Sequence, residues 1–291
     1  MSEIKRTEIL FLYDVQNGNP NGDPSDENKP RIDEETGQNI VTDVRLKLTV
    51  RDYLFNYEGY NKDGVEDIFV RQTFVDDDPE KGLKDGISRA KTYKNDATKV
   101  LEACIDVRLF GGVIPLDKSS ITFTGPVQFK MGRSLHKVQL QYIKGTGAFA
   151  SKAGQKQQTF REEYILPYSF IAFYGIINEN AAKHTRLKND DIEKLKQGLW
   201  NGTKQLITRS KMEHNPRLLL TVTHDSPNFF IGELDKYIKL ETDKRDEELR
   251  NVTDFSLDMG ALKARIESLE QKPEVKVYNR DPLLKLVNWF E

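Results

Sequence analysis

Residues Glu8 to Val15 (EILFLYDV) are almost continuously apolar, with Ile9, Phe11, Tyr13 and Val15 among them. That is the pattern of a central strand covered on both faces, so it sets the frame for the rest of the chain. The run is too short for a signal-peptide core or a membrane span and ends at a charged residue, Asp14. Directly after it comes NGNPNGDPSDENKPRIDEETGQN, packed with Asn, Gly, Pro and Asp, which supply positive-φ turns and break regular structure. Loops of this length inside compact domains are binding elements or disorder, and a position straight after a central strand favours binding.

From Thr42 or Asp43, both good N-cap residues, a helix is expected to about Asn56. Val44, Leu48 and Phe55 share one side and Leu46, Val50, Tyr53 and Leu54 another, so two faces are expected to be buried. Lys47 and Arg51 lie between them at i,i+4 spacing. They read either as a solvated charge pair or as contacts to backbone phosphates. Residues 57–94 read as an insertion punctuated by Gly59, Gly64, Gly82 and Gly86. Its acidic run Asp76, Asp77, Asp78, Pro79, Glu80 is a solvated turn rather than a metal site, because consecutive carboxylates do not converge on one ion. A second helix is expected over Asp96–Leu109, with Gly111 and Gly112 at its C-cap. Strands follow at Ser120–Met131 and Ile165–Ile177. A third helix has Asp190 and Glu193 as its capping box and Ile192, Leu195, Leu199 and Leu206 as its stripe. Another strand covers Leu218–Thr223. The order strand, helix, strand, strand, helix, strand is the ferredoxin-like, RRM-like βαββαβ arrangement of an α+β protein. Beyond Asp225 the chain turns acidic and irregular, with a short helix near Met259–Leu269.

At 291 residues the chain can form one large domain or two small ones. Its 44 Lys and Arg nearly cancel 46 Asp and Glu, so a nucleic-acid partner requires a local basic patch. One exists. Between Asp117 and Glu162 no acidic residue occurs in 44 positions, while Lys118, Lys130, Arg133, Lys137, Lys144, Lys152, Lys156 and Arg161 all fall there. Chance leaves such a gap in about 2 % of chains of this composition, so the asymmetry reads as built. The middle of the window, 132–162, reads as a protruding hairpin whose lysines follow phosphates. Phe149 in it either presses on bases or anchors the hairpin itself. A lone Cys104 excludes internal disulfides and cysteine zinc clusters and fits a reducing, cytoplasmic setting. His136, His184, His214 and His224 lack metal-site spacing, and no phosphate-binding glycine motif occurs, so no cofactor, metal or catalytic constellation is indicated. No amphipathic helix indicates a membrane partner.

The stretches DVQNGNPNGDP (Asp14–Pro24), PRIDEETGQNIVTDVRLK (Pro30–Lys47), CIDVRLFGG (Cys104–Gly112) and ITFTGPVQFKMGRS (Ile121–Ser134) resemble the backbone (RAMP-type) subunit of type I CRISPR Cascade surveillance complexes, most like type I-B. The resemblance covers nearly the whole chain. It implies a single hand-shaped domain over 1–291, with a ferredoxin-like palm, fingers at 57–94, a thumb hairpin at 132–162 and an extension at 226–291 packing on the palm. It further implies copies stacked head to tail in a filament along guide RNA (crRNA), which pairs with a target DNA strand. Other Cascade subunits and a recruited helicase-nuclease would be partners. On this resemblance Asn17, Asn19, Asn21, Thr42, Arg45, Lys47, Arg51, Gly111, Gly112 and Arg133 would line the RNA groove. Lys130, His136, Lys137, Lys144, Phe149, Lys152 and Arg161 would extend it along the basic window.

Backbone contacts accept any guide and leave sequence choice to base pairing. The acidic C-terminal region, Glu247 and Glu248 included, is expected to meet the basic face of a neighbouring copy. The rival reading is the sister subunit of type III complexes, a metal-dependent RNA endonuclease using Asp23, Asp26 or Asp33 in the loop. A general RNA chaperone is a third.

Overall fold

The computed structural model describes residues 3–150 and 158–290, except the side chains of 146–150 and 158–161. Strand β1 (Thr7–Gly18) leads through the short pair β2 (Gly22–Asp23) and β3 (Lys29–Pro30) to β4 (Gln38–Val41) and helix α1 (Asp43–Tyr57). Helices α2 (Gly86–Thr92), α3 (Ala97–Ala103) and α4 (Ile105–Phe110) precede β5 (Gly111–Pro115), β6 (Ser120–Thr124), β7 (Val127–Phe129) and β8 (Gly132–Lys137). A hairpin of β9 (Gln141–Ala150) and β10 (Gln158–Ile177) is followed by α5 (Glu179–Thr185), α6 (Asn189–Lys204) and β11 (His214–Thr223). The chain closes with β12 (Lys239–Glu241), β13 (Ser256–Asp258), α7 (Gly260–Glu267), β14 (Glu274–Arg280) and β15 (Leu286–Val287).

The main sheet runs β14-β11-β1-β10-β8-β4, with β7 also on β10, and these pairings are antiparallel. As its apolar run requires, β1 lies inside the sheet between two partners, and both its faces are buried. On one face Ile9, Phe11, Tyr13 and Val15 pack with Leu46, Val50 and Leu54 of α1 and Leu195 and Leu199 of α6. On the other, Leu10 and Leu12 join Phe170, Leu218 and Leu220 beneath Leu234, Leu249, Phe255, Met259 and Leu262 of the C-terminal region. A third cluster, with Phe69, Tyr93, Val100, Cys104 and Val107, ties residues 57–94 to α3 and α4. No helix among the described residues is long and apolar enough to cross a membrane.

Several expected elements differ in detail. Helix α1 buries only one of its two apolar sides, since Val44 is 66 % and Leu48 40 % exposed. The single helix expected over Asp96–Leu109 is two, broken at Cys104. There the backbone turns extended (φ −101°, ψ 101°) and Asp67 pairs with it, its N–H bonding the Ala103 carbonyl at 2.9 Å. The strand expected over Ser120–Met131 is also two. It divides at Gly125 and Pro126, so that β6 pairs with β5 while β7 pairs with β10. Helix α6 is capped two residues before the expected position: the N-cap is Lys188, and Asp191, not Glu193, accepts its N–H at 3.0 Å. Strand β14, half-exposed at the sheet edge, was not expected from the sequence, although Val275 and Val277 alternate in it as in a strand.

Buried charges hold these layers in register, each met by an opposite charge or several donors, as burial demands. Glu8, fully buried in β1, accepts from His224 Nε2 (2.7 Å), the Tyr174 hydroxyl (2.8 Å) and the Ile231 and Gly232 N–H groups (both 2.8 Å). One carboxylate thereby fastens the start of the C-terminal region to the central strand. Asp106 accepts from the Phe69 and Val70 N–H groups and from Arg51, and Asp67 from Arg89 and Tyr93, which fixes the insertion. Arg108 grips Asp191 with two bonds of 2.8 Å. Gly111 has φ +70°, and a Cβ on its contact partner Gly125 would lie 2.0 Å from the Phe110 carbonyl carbon.

Two outcomes follow for stability. Burial alone would raise the Glu8 pKa, but bonds from His224, Ile231, Tyr174 and Gly232 outweigh it and hold the carboxyl below its ordinary value. A lowered folded-state pKa means stability that is present above the unfolded value and is lost as pH falls through the folded one. Glu8→Gln is therefore expected to lose about 3 kcal/mol in urea unfolding at pH 7. The gap from wild type should shrink as the pH drops below about 4. Gly125→Ala is expected to cost about 2 kcal/mol or more by the same measurement, because the obstructing atoms are backbone.

Candidate nucleic-acid interface

Four structural features meet at one end of the sheet. Gly18, the last residue of β1, pairs with Leu166, beyond which β10 leaves the sheet and pairs with β9 as the hairpin. Val15 pairs with His214, the first residue of β11, and α1 begins nearby at Thr42. The long loop after β1 and the loop 205–213 before β11 therefore pack together: the Asn19 N–H bonds the Ser210 carbonyl at 2.8 Å, and a Cβ on Gly18 would lie 2.8 Å from that same oxygen.

Within this end, Asn17 is exposed with φ +44°. Asn19 is buried and donates to the Asn28 carbonyl at 2.6 Å, while its Oδ1 has no partner among the described residues. Asn21 Oδ1 accepts from both the backbone and the hydroxyl of Thr42 (2.8 and 2.9 Å), and the Thr42 hydroxyl in turn caps α1 by accepting from the Arg45 N–H. These asparagines thus build the corner that presents α1. Arg45 donates to the Thr49 hydroxyl at 3.1 Å and has no carboxylate within ion-pair distance among the described residues.

Lys47 and Arg51 lie further along α1 and are less free. Lys47 contacts Asp43 (2.9 Å) and Gln128 (3.2 Å), and Arg51 contacts Asp106 (3.0 Å), with side chains only 13 % and 12 % exposed. Both stand over the Phe110 ring, at 5.9 and 5.2 Å from its centroid. Gly111 is buried and shapes the turn after Phe110. A Cβ on Gly112 would meet nothing within 4 Å, so backbone is open to an approaching ligand there.

The basic window meets acids in space that are far off in sequence. Lys130 lies between Glu233 (3.4 Å) and Asp235 (3.1 Å), and Arg133 pairs with Asp33 at 2.8 Å. The Lys137 N–H bonds Asp246 at 2.8 Å, and Lys144, on the hairpin, pairs with Glu162 at 3.4 Å. Acids of the C-terminal region thus face the basic face of their own chain. Within the chain, Glu248 pairs with Arg245. His136, expected on the RNA surface, is buried instead: it is 3 % exposed, its Nδ1 contacts the Lys137 carbonyl at 2.7 Å and its Nε2 accepts the Phe170 N–H at 3.1 Å. It fills a gap in the β8–β10 ladder, and burial pushes its pKa down. Phe149, Lys152 and Arg161 lie outside the described side chains.

The loop carboxylates each have a local task. Asp23 accepts from Ser25 and Arg31, Asp26 from Lys29, and Asp33 from Arg133 and the Glu35 and Thr36 N–H groups. Among the described residues no group of three or more His, Cys, Asp and Glu gathers where it could hold a metal.

Lys211 and His214 escaped the sequence reading. They sit in and beside an irregular loop with no motif, and only their closeness to Arg45 in space singles them out. Lys211 donates to the Asn19 and Pro20 carbonyls (2.6 and 3.2 Å), and His214 stacks on Tyr13 with centroids 5.8 Å apart.

Residues 5–260 match the family model described as CRISPR-associated protein Cas7. A protein of that description from Haloferax volcanii is 33 % identical over 298 residues, covering 93 % of this chain and 84 % of its own. Among solved structures, a chain of a "CRISPR RNA-guided surveillance complex" superimposes with a TM-score of 0.53 over 98 % of this chain and 95 % of its own. At 14 % identity the likeness is one of fold, a mixed α+β chain built on an antiparallel sheet. By the family match and the Haloferax relative together, this chain belongs to the Cas7 family of CRISPR-associated proteins.

Proposed function

We propose that this chain is a backbone subunit of an RNA-guided surveillance complex. It would hold guide RNA without reading its sequence, stack head to tail with its own copies, and leave target DNA to be recognised by pairing with the guide. The observation that carries the reading is the convergence of the Asn-rich loop, the start of α1, the loop 205–213 and the hairpin root at one end of the sheet. The strand order β11-β1-β10-β7, with α1 and α6 on one face, supports a ferredoxin-like palm. RRM-type proteins stack bases on the open sheet face. Here that face is filled by Leu234, Leu249, Phe255, Met259 and Leu262, so RNA is left the loop end and the hairpin. Such a surface contacts phosphates and sugars, which position a strand but carry no sequence information. In this picture residues 57–94, held by the third cluster, serve as fingers, and the β9–β10 hairpin serves as the thumb.

The scaffold reading is favoured over the nuclease reading by the loop carboxylates, which are engaged with Arg31, Lys29 and Arg133 and point to no shared centre. Partner subunits and a recruited helicase-nuclease would then supply target recognition and cutting.

One mixture separates these readings: the purified protein, a long single-stranded RNA and magnesium, with RNA length and particle shape both measured. Intact RNA inside a periodic filament is expected. Shortened RNA, abolished by Asp23→Ala, would replace the scaffold with a nuclease, and dispersed monomers on intact RNA would remove the filament.

A further inference from the structure

Buried cations elsewhere in this protein have a carboxylate partner. Arg6 pairs with Glu179, Arg89 with Asp67, Arg108 with Asp191 and Arg217 with Asp14. The cations at the end of β1 are half-buried and, like the half-buried Lys99, Lys263 and Arg265, lack such a partner among the described residues, but of these they alone stand beside a buried imidazole. Arg45 and Lys211, both half-buried, have no carboxylate within ion-pair distance among the described residues, and what they touch is neutral: the Thr49 hydroxyl and the Asn19 and Pro20 carbonyls. Beside them His214 is 3 % exposed, and neither of its ring nitrogens has a partner among the described residues. A neutral imidazole carries one N–H, so one buried donor goes unanswered in either tautomer.

The two cations and the imidazole also act on one another. Burial and then the charge of Arg45 push Lys211 down to about 8, and burial, Lys211 and Arg45 push His214 down to about 3. Like charges crowded into a part-buried site with an unanswered donor are unfavourable by themselves and become favourable around an anion. Among the described residues no carboxylate comes within ion-pair distance of either cation, although Asp52 on α1 feels the charge of Arg45. The loop that carries Lys211 is fastened to Asn19 and Gly18, so the ammonium is held in place before any ligand arrives. Of its three protons, two are engaged by carbonyls, which leaves one to donate.

We propose that Lys211 and Arg45 together clamp one phosphodiester of the bound RNA strand, with His214 as the buried donor behind them. This rests on the guide-RNA reading above and gives the loop 205–213 a specific contact, a single phosphate, within it. The clamp is a pair of charge-assisted bonds from fixed donors, and it recognises the phosphate group rather than any base.

The test is a salt titration of RNA binding by the full chain, comparing wild type with Lys211→Met, Arg45→Gln, Lys211→Arg and the control Lys5→Gln. Lys5 is exposed, paired with Asp225, and lies before β1 at the end away from Gly18. Each neutralising variant at the clamp is expected to lower the slope of log K against log salt by about one and to weaken binding roughly tenfold. Lys211→Arg and Lys5→Gln should keep the wild-type slope. Because Lys211→Met also removes two bonds to the loop, thermal unfolding is measured for every variant, and Arg45→Gln, which breaks no backbone contact, gives an independent answer. Inorganic phosphate at millimolar concentration is included as a competitor. It should weaken wild type more than Arg45→Gln, and equal weakening would point to general ionic screening and overturn the clamp. Folded Lys211→Met and Arg45→Gln proteins that keep the wild-type slope would also overturn it while leaving the guide-RNA reading intact. A wild-type protein that binds no RNA at all would overturn both.

Discussion

The molecule depends on one strand belonging to two sheets. β10 is 20 residues long: from Leu166 to Ile177 it pairs with β1 in the core, and from Gln158 to Ile165 it pairs with β9 in the hairpin. Because the peptide backbone is continuous, the register that seats Phe170 and Phe173 on opposite faces of the core also sets where the hairpin leaves the sheet. The hairpin is thus an extension of the central layer rather than a loop hung on it.

Charge placement follows a similar logic. The buried carboxylates Glu8, Asp67, Asp106 and Asp191 join the layers, each meeting donors from a segment far away in sequence. Around β8 the acids of the C-terminal region answer Lys130 and Arg133 finds Asp33, so the basic window is partly neutralised. Arg45 and Lys211, where β1, α1 and β11 meet, have no carboxylate partner among the described residues. A near-zero net charge is therefore compatible with a locally cationic surface.

What could be read in the sequence was local or periodic. The central strand announced itself by its apolar run, the start of α1 by Thr42, and the end of α4 by the glycines at 111 and 112, because caps and strand cores are decided within a few residues. The features that were missed are set by distant partners. The helix breaks at Cys104, where the Asp67 N–H takes the Ala103 carbonyl, β14 becomes a strand because β11 offers an edge, and Val44 and Leu48 stay exposed although their spacing suits a core. The basic window was legible as composition, but its neutralisation by residues about a hundred positions away was not. His136 looked like another cation of that window and is instead a ladder-filling hydrogen-bond partner. Lys211 and His214 carried no motif and gained meaning only beside Arg45.

The central claim is that RNA lies at the loop end of the sheet and along the hairpin, not on the sheet face that the C-terminal region covers. Photo-crosslinking with a thiouridine-bearing RNA of arbitrary sequence, followed by peptide mapping, tests it most directly. Adducts are expected in residues 17–21, 42–51 and 205–213 and in the β9–β10 hairpin. Adducts gathered instead on residues 234–284, or moving when the RNA sequence is changed, would contradict the account.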